Sequence, residues 1–403
     1  MRYRKPSWLH YRIAQLVCTL FSWLLFRCKV IRNEIRGVKG PFVVIANHQA
    51  AYDFANLFGR TRRMMSFVIS NSFYHSLPIT SFLDKLGVIP KQQFQTTVTD
   101  MKNMKAVIDA GEPLVIYPAG LMCEDGLSTP IPPATYKFLK WLGVDIYVAR
   151  TYGTYFAMPK WSSGIRCGRT YLDVYKLMDA ETLATTDLDS LRDLVNNALM
   201  YDAYREQENA RIPYARNQDI RGLEGVLYLC PHCGAEFSMQ VRDKSTIFCT
   251  QCGYEQKADR LGFLHNEKGL GPEIRYVSDW SKLIYSKVDA SVRAGELQTL
   301  SCTTQIHMID YQKHKFYPVG CGTVTLYEDH FHLQGTLHGE EMDMKISIAG
   351  LPTLPFSPGK YFEIQDGKNI YRCVLDDGSL VMKFINLVKI YYAHAHKMAQ
   401  PIQ

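Results

Sequence analysis

Short apolar runs recur along the first half of the chain, at residues 43–46, 65–69, 88–89, 114–117 and 144–149, with one more strand-like stretch at 169–176. Each has strand length. The segments between them carry helical spacing: 52–58 as a short helix, 97–110 with Val98, Met101, Lys105 and Ile108 roughly in line, and 135–142. Gly87 and Gly111 stand where helices stop. Strands separated by helices predict βαβ units and a largely parallel sheet. A polar amphipathic helix over 186–208 follows, with Leu188, Leu191, Val195 and Leu199 facing the body, and polar residues 205–221 read as a linker. A helix over 278–294 has Ser278 as its cap and Trp280, Ile284 and Val288 on one face. Beyond residue 300 the pattern turns to alternating, turn-punctuated segments at 322–327, 330–333, 342–348, 361–364 and 371–374, closed by an apolar helical stretch at 379–393.

The N-terminus departs from this pattern. Residues 13–26 are apolar, but fourteen residues are too few to cross a bilayer, which takes about 20. No small-residue cleavage site follows, so a signal peptide is not the reading. Arg4, Lys5, Arg12, Arg27, Lys29, Arg32, Arg36 and Lys39, with Arg2 before them, face one acid, Glu34, and supply much of the net charge of +7. Basic flanks on an apolar helix predict an interfacial or shallowly inserted segment on an anionic membrane surface, anchored by Trp8 and Trp23. The alternative is an apolar helix buried in a soluble domain. Eleven cysteines, seven of them scattered singly, fit a reducing compartment rather than a disulfide scaffold. The expected location is therefore cytoplasmic, peripheral or monotopic on the membrane.

Candidate chemistry sits just after the first apolar run. His48 is followed five residues later by Asp53, with small residues between them. A histidine takes up and returns a proton near neutrality, and a carboxylate on its other ring nitrogen fixes the tautomer and stabilises the cation. Five-residue spacing does not match one face of a helix, so His48 is expected at a strand-to-helix turn, with Asn47 as a cap and Asp53 in the first helical turns. Lys91 falls at a strand end, where open α/β sheets place ligand sites. No G-x-S-x-G nucleophile elbow occurs, which favours direct base-assisted attack over an acyl-enzyme.

His48 to Asp53 resembles the H-x-x-x-x-D motif of the lysophosphatidic acid (1-acylglycerol-3-phosphate) acyltransferase family. Residues 87–91 resemble its second block, Tyr117-Pro118-Ala119-Gly120 its third, and residues 144–148 its fourth apolar strand. The order and spacing of four blocks are more specific than any one of them. The resemblance covers residues 1–210 and implies an α/β glycerolipid acyltransferase fold. It further implies transfer of an acyl chain from acyl-CoA or acyl carrier protein to the hydroxyl of a lysophospholipid or related acceptor. His48 would then be the general base and Asp53 its orienting acid. The third-block glutamate of the family is Ala119 here, and the second-block arginine has no counterpart. Because a phosphate needs charge-assisted donors, Lys91, Arg150, Lys160 and Arg166 are the candidate contacts, with Tyr117 and Gly120 from the third block and Glu124 or Asp125 as substitute carboxylates. The runner-up reading is a non-catalytic lipid-binding or scaffold protein that keeps the acyltransferase fold.

Cys230-Pro231-His232-Cys233-Gly234 and Cys249-Thr250-Gln251-Cys252-Gly253 form two C-x-x-C pairs with fifteen residues between them. Four thiolates at this spacing predict a zinc ribbon with structural zinc on Cys230, Cys233, Cys249 and Cys252, and His232 as a spectator. Basic and acidic residues balance around it, which argues against a nucleic-acid partner. The strands beyond residue 300 with one C-terminal helix resemble a pleckstrin-homology or GRAM-type domain, suited to lipid headgroups or a protein partner. The expected organisation is a membrane-interface segment (1–36), the acyltransferase domain (37–212), the ribbon (213–262), a helical linker (263–300) and the β-rich domain (301–403).

Overall fold

The computed structural model describes residues 3–94, 96–296, 299–367 and 369–396, so Arg2 of the basic segment and residues 397–403 of the β-rich domain lie outside it. The chain forms two compact units, one of residues 1–159 with 165–215 and one of residues 160–164 with 216–403.

The strands of the first unit are β1 (Lys29–Asn33), β2 (Val43–Ala46), β3 (Ser66–Ser70), β4 (Ile89–Lys91), β5 (Leu114–Ile116), β6 (Ile146–Tyr152) and β7 (Tyr171–Met178), in the order β1-β7-β6-β2-β5-β3-β4. All pairs are parallel except β6 with β7. The helices are α1 (Trp8–Leu24), α2 (Asp53–Phe58), α3 (Asn71–His75), α4 (Thr80–Lys85), α5 (Val98–Asp109), α6 (Ala134–Leu142), α7 (Thr154–Ala157), α8 (Ala180–Thr185), α9 (Leu188–Leu199) and α10 (Ala203–Ala210). Alternation along the strands sorts side chains to two cores. Val43, Ile45, Ile116 and Val148 pack with Val107 of α5, Leu139 of α6 and Leu191 of α9. Val44, Ala46, Val115 and Ala149 pack on the other face with Tyr11 of α1 and Leu57 and Phe58 of α2. Every residue of β2 is buried, because a central parallel strand is covered on both faces and reads as an unbroken apolar run.

The expected helix over 186–208 is two helices. Met200 is extended after α9, and the Asp202 carboxylate accepts from the N–H groups of Tyr204 and Arg205 to start α10. An aspartate that caps a new helix breaks the old one. α10 also takes up the start of the expected linker.

α1 is amphipathic with its polarity turned inside out. Gln15 Nε2 donates to Phe58 O (3.0 Å), Thr19 Oγ1 to Gly59 O (2.9 Å) and Ser22 Oγ to Asn56 Oδ1 (2.7 Å). The polar edge of α1 is thus spent on α2. The apolar stripe faces outward: Trp8, Leu16 and Trp23 are 64%, 61% and 62% exposed, with Ile13, Val17 and Leu20 also exposed between them. Among the described residues no helix is long and apolar enough to cross a membrane.

The second unit opens with an antiparallel sheet of β8 (Met239–Arg242), β9 (Thr246–Cys249), β10 (Glu255–Ala258) and β11 (Leu264–His265). Helix α11 (Val277–Arg293) follows. Its N-cap position is Tyr276, and the expected cap Ser278 is buried inside the first turn. Trp280 is fully buried, donates from Nε1 to Leu229 O (2.9 Å) and meets Tyr254 edge-on at 5.8 Å. The remaining strands, β12 (Leu300–Asp310), β13 (Lys315–Leu326), β14 (His330–Leu337), β15 (Glu340–Ser347), β16 (Phe356–Ser357), β17 (Tyr361–Asp366) and β18 (Asn369–Leu375), form one antiparallel sheet ordered β15-β14-β13-β12-β18-β17-β16. Helix α12 (Val381–Ala395) packs Phe384 against Phe331 and Phe362, at ring distances of 6.3 and 5.1 Å. Gly335 permits the tight β13–β14 crossing, since a Cβ there would lie 2.2 Å from Cys321 O.

Candidate active site

His48 stands just past the C-terminal end of β2, the strand between β5 and β6. Its two neighbours hold it there. Asn47 Nδ2 donates to Thr151 O (2.9 Å) while its Oδ1 accepts from Thr151 N (2.8 Å), so this side chain is a strap to β6 and not the expected helix cap. Gln49 Oε1 accepts from Thr154 Oγ1 (3.0 Å) and Tyr155 N (3.3 Å). Tyr201, beyond α9, donates from its hydroxyl to His48 O (3.1 Å). With both flanking side chains and its own carbonyl fixed, the imidazole has few orientations left.

Asp53 is the first residue of α2 and is buried. Its Oδ2 lies 3.2 Å from His48 Nδ1 and accepts the backbone N–H groups of Gln49 (2.6 Å) and Ala50 (2.9 Å). The carboxylate therefore closes the turn that presents the histidine and also faces its ring. With the proton on Nδ1 directed at Asp53, Nε2 is left with its lone pair. The Tyr117 ring lies 4.7 Å from the imidazole, and burial, followed by the nearby Asp53 charge, raises the phenol pKa well above its ordinary value. Tyr117 thus stays a neutral wall.

A small cleft opens beside His48. Pro118, Ala119, Ser128 and Thr129 lie along it, and Ile131, Leu199, Met200 and Tyr201 complete the wall. The loop and the α9–α10 junction are stitched together: Ser128 N donates to Tyr201 O (3.1 Å) and Tyr201 N to Ser128 Oγ (3.3 Å).

Residues 27–161 match the Acyltransferase family model. The match covers about a third of the chain. Among solved structures the chain is similar to the 1-acyl-sn-glycerophosphate (LPA) acyltransferase PlsC from Thermotoga maritima, with 18% identity and a TM-score of 0.42 over 50% of this chain and 79% of that one. It is also similar to the Ran binding domain of the nuclear complex component Nup2 from Ashbya gossypii, with 10% identity and a TM-score of 0.20 over 24% of this chain and 94% of that one. At those scores neither likeness supports a statement about this chain. No match was found among curated proteins.

The other candidate residues have separate surroundings. Gly120, at φ +71°, accepts from Gln93 Nε2 at its carbonyl (2.6 Å), which joins the second and third blocks. Lys91 ends the edge strand β4, where burial lowers its pKa and Nζ donates to Gln92 O (3.1 Å). Arg150 is committed to Glu206 Oε1 (2.8 Å) and to the carbonyls of Met200 (3.1 Å) and Ala198 (3.3 Å) at the end of α9. Arg166 is buried, as are Glu124 and Asp125, and its N–H donates to Ala157 O (2.7 Å). Lys160 belongs to the second unit, where its ammonium lies 3.3 Å from the Phe356 ring centroid. Tyr117 meets the His48 ring. Sequence reasoning missed Asn47 as a strap, Gln49, Tyr201 and Glu206, whose partners lie a hundred residues or more away or on an unforeseen helix break.

In the second unit the Sγ atoms of Cys230, Cys233, Cys249 and Cys252 all lie within 4.8 Å of one another. Cys230 to Cys252 is 3.7 Å and Cys233 to Cys249 is 3.8 Å. Four thiolates about 2.3 Å from a tetrahedral zinc have sulfur edges of about 3.8 Å, so the set fits that ion. Gly234 N donates to Cys230 O and Gly253 N to Cys249 O, both at 3.0 Å, and both glycines take positive φ, +77° and +76°. These are two copies of one tight turn. His232 lies outside the cluster with its ring 6.4 Å from Tyr254.

Proposed function

We propose that this protein is a membrane-associated O-acyltransferase that moves an acyl chain from acyl-CoA or acyl carrier protein to the hydroxyl of a lysophospholipid or related acceptor. The observation that carries the reading is the contact of His48 Nδ1 with Asp53 Oδ2, on a turn that the same carboxylate closes. His48 Nε2 takes the acceptor hydroxyl proton as the oxygen attacks the thioester carbonyl. The tetrahedral intermediate collapses with cleavage of the C–S bond, and the imidazolium returns its proton to the leaving thiolate. Asp53 orients the ring and stabilises its cation.

The outward apolar stripe of α1 supports docking on a bilayer. Trp8 and Trp23 mark its two ends, and Arg4, Lys5, Arg12 and Arg27 supply charge for an anionic leaflet. Zinc, held by Cys230, Cys233, Cys249 and Cys252, acts as a structural ion, since four thiolates leave no open position for chemistry. The antiparallel sheet closed by α12 serves as a pleckstrin-homology or GRAM-like docking module for a headgroup or protein partner. The experiment that tests the reading is release of free CoA from acyl-CoA by the full chain on anionic vesicles containing a lysolipid. Acceptor-dependent release above the His48→Ala background supports it, and none on any acceptor or donor removes it.

A further inference from the structure

We infer that the acceptor hydroxyl belongs to a neutral lipid alcohol, of the monoacylglycerol class, and not to a phosphate-bearing lysolipid; this rests on the reading of the first unit as an active acyltransferase. Among the described residues, no lysine, arginine or other charged side chain lines the cleft beside His48. The cleft is lined instead by Ala119, Ser128, Thr129, Ile131, Leu199 and Met200. A phosphate dianion placed there would give up its water for two hydroxyls and hydrocarbon, whereas phosphate sites are built from charge-assisted donors. A second alcohol group has the partners it needs in Ser128 and Thr129, and an acyl chain has its wall.

The cations of the domain have other settings. Arg150 spends its donors on Glu206 and on the carbonyls that end α9. Lys91 sits three strands from β2 in the sheet, roughly 14 Å between strand axes at the usual spacing, with its ammonium on a backbone carbonyl. A second cleft lies against Gly87 and Pro90, with Arg4 and Asp84 among its lining residues, and does not include His48.

The test offers labelled acyl-CoA to the full chain in mixed micelles with either 1-monoacylglycerol or 1-acylglycerol-3-phosphate, and measures kcat/KM for each. The expected result favours the neutral acceptor by about tenfold or more, since a phosphate there lacks the charge-assisted donors it needs. Thr129→Lys and, independently, Met200→Arg each put a cation into the cleft, and each shifts the ratio toward the phosphorylated acceptor by about tenfold. A wild-type preference for the phosphorylated acceptor overturns the inference, as does an unchanged ratio in both variants. Retention of the two labelled acceptors by the His48→Ala protein in equilibrium dialysis separates the two readings. Neutral lipid retained with no turnover by wild type keeps the acceptor class and sinks the catalytic reading. Phosphorylated lipid retained preferentially, or neither retained, sinks the acceptor class.

Discussion

Asp53→Asn and Asp53→Ala separate two tasks that one carboxylate oxygen performs. Oδ2 closes the 49–53 turn through two backbone N–H groups and faces His48 Nδ1 at 3.2 Å, in a place that water does not reach. The alanine variant leaves the N–H groups of Gln49 and Ala50 without an acceptor. A buried donor left unsatisfied costs about 1–3 kcal/mol, so two cost roughly 2–6 kcal/mol, a large share of a domain's usual margin of about 5–15 kcal/mol. The asparagine variant keeps an oxygen for the same two N–H groups and loses only the charge that stabilises the imidazolium. It should unfold in urea near the wild-type midpoint while kcat falls by about 10²-fold or more, the scale of general-base assistance. Free CoA release and urea denaturation, run on all three proteins, read the two effects apart. Wild-type turnover by Asp53→Asn, or wild-type stability of Asp53→Ala, would refute the assignment of both tasks to this oxygen.

Replacing Leu16 and Leu20 together by glutamate should lower partition of the full chain onto anionic vesicles by at least about tenfold, since each leucine withdrawn from an apolar phase costs about 1.5–3 kcal/mol, and leave the unfolding midpoint within reach of wild type because both side chains already face outward; vesicle sedimentation measures it. The chain purified without chelator should hold one zinc per copy by elemental analysis. Removing that zinc, or introducing Cys249→Ser, should expose residues 226–258 to limited proteolysis. Trp280→Ala removes a fully buried indole and its bond to Leu229 O, and should destabilise the second unit by about 3–5 kcal/mol in denaturant titration followed by that unit's proteolysis.

What was legible in the sequence is what is local. His48 and Asp53 share one turn, so their spacing carried the pairing, and each C-x-x-C-G carried its own tight turn. The 97–110 helix was readable from its apolar spacing, and the structure adds a reciprocal capping box between Thr97 and Asp100 at its start. The buried strands were readable because a strand covered on both faces is apolar without interruption. What escaped was set by distance along the chain. Asn47 reads locally as a helix cap, but its amide matches the backbone of Thr151, 104 residues on, and that pairing wins once β2 and β6 lie side by side. Arg150 reads as a phosphate ligand until Glu206 arrives from α10, a helix hidden by the break at Met200. The apolar pattern of α1 was plain, yet which face would be spent on protein was not. Gln15, Thr19 and Ser22 find hydrogen-bond partners on α2, and this turns the hydrocarbon outward.

The central claim is that His48 takes the acceptor's proton. It is tested most directly by acyl transfer from labelled acyl-CoA and acyl carrier protein to a panel of lipid alcohols by purified wild type and His48→Ala, with vesicle binding and urea unfolding measured alongside. Product is expected only with wild type, with a loss of about 10³-fold or more in the variant and unchanged binding and stability. Transfer by His48→Ala at a rate near wild type would contradict it.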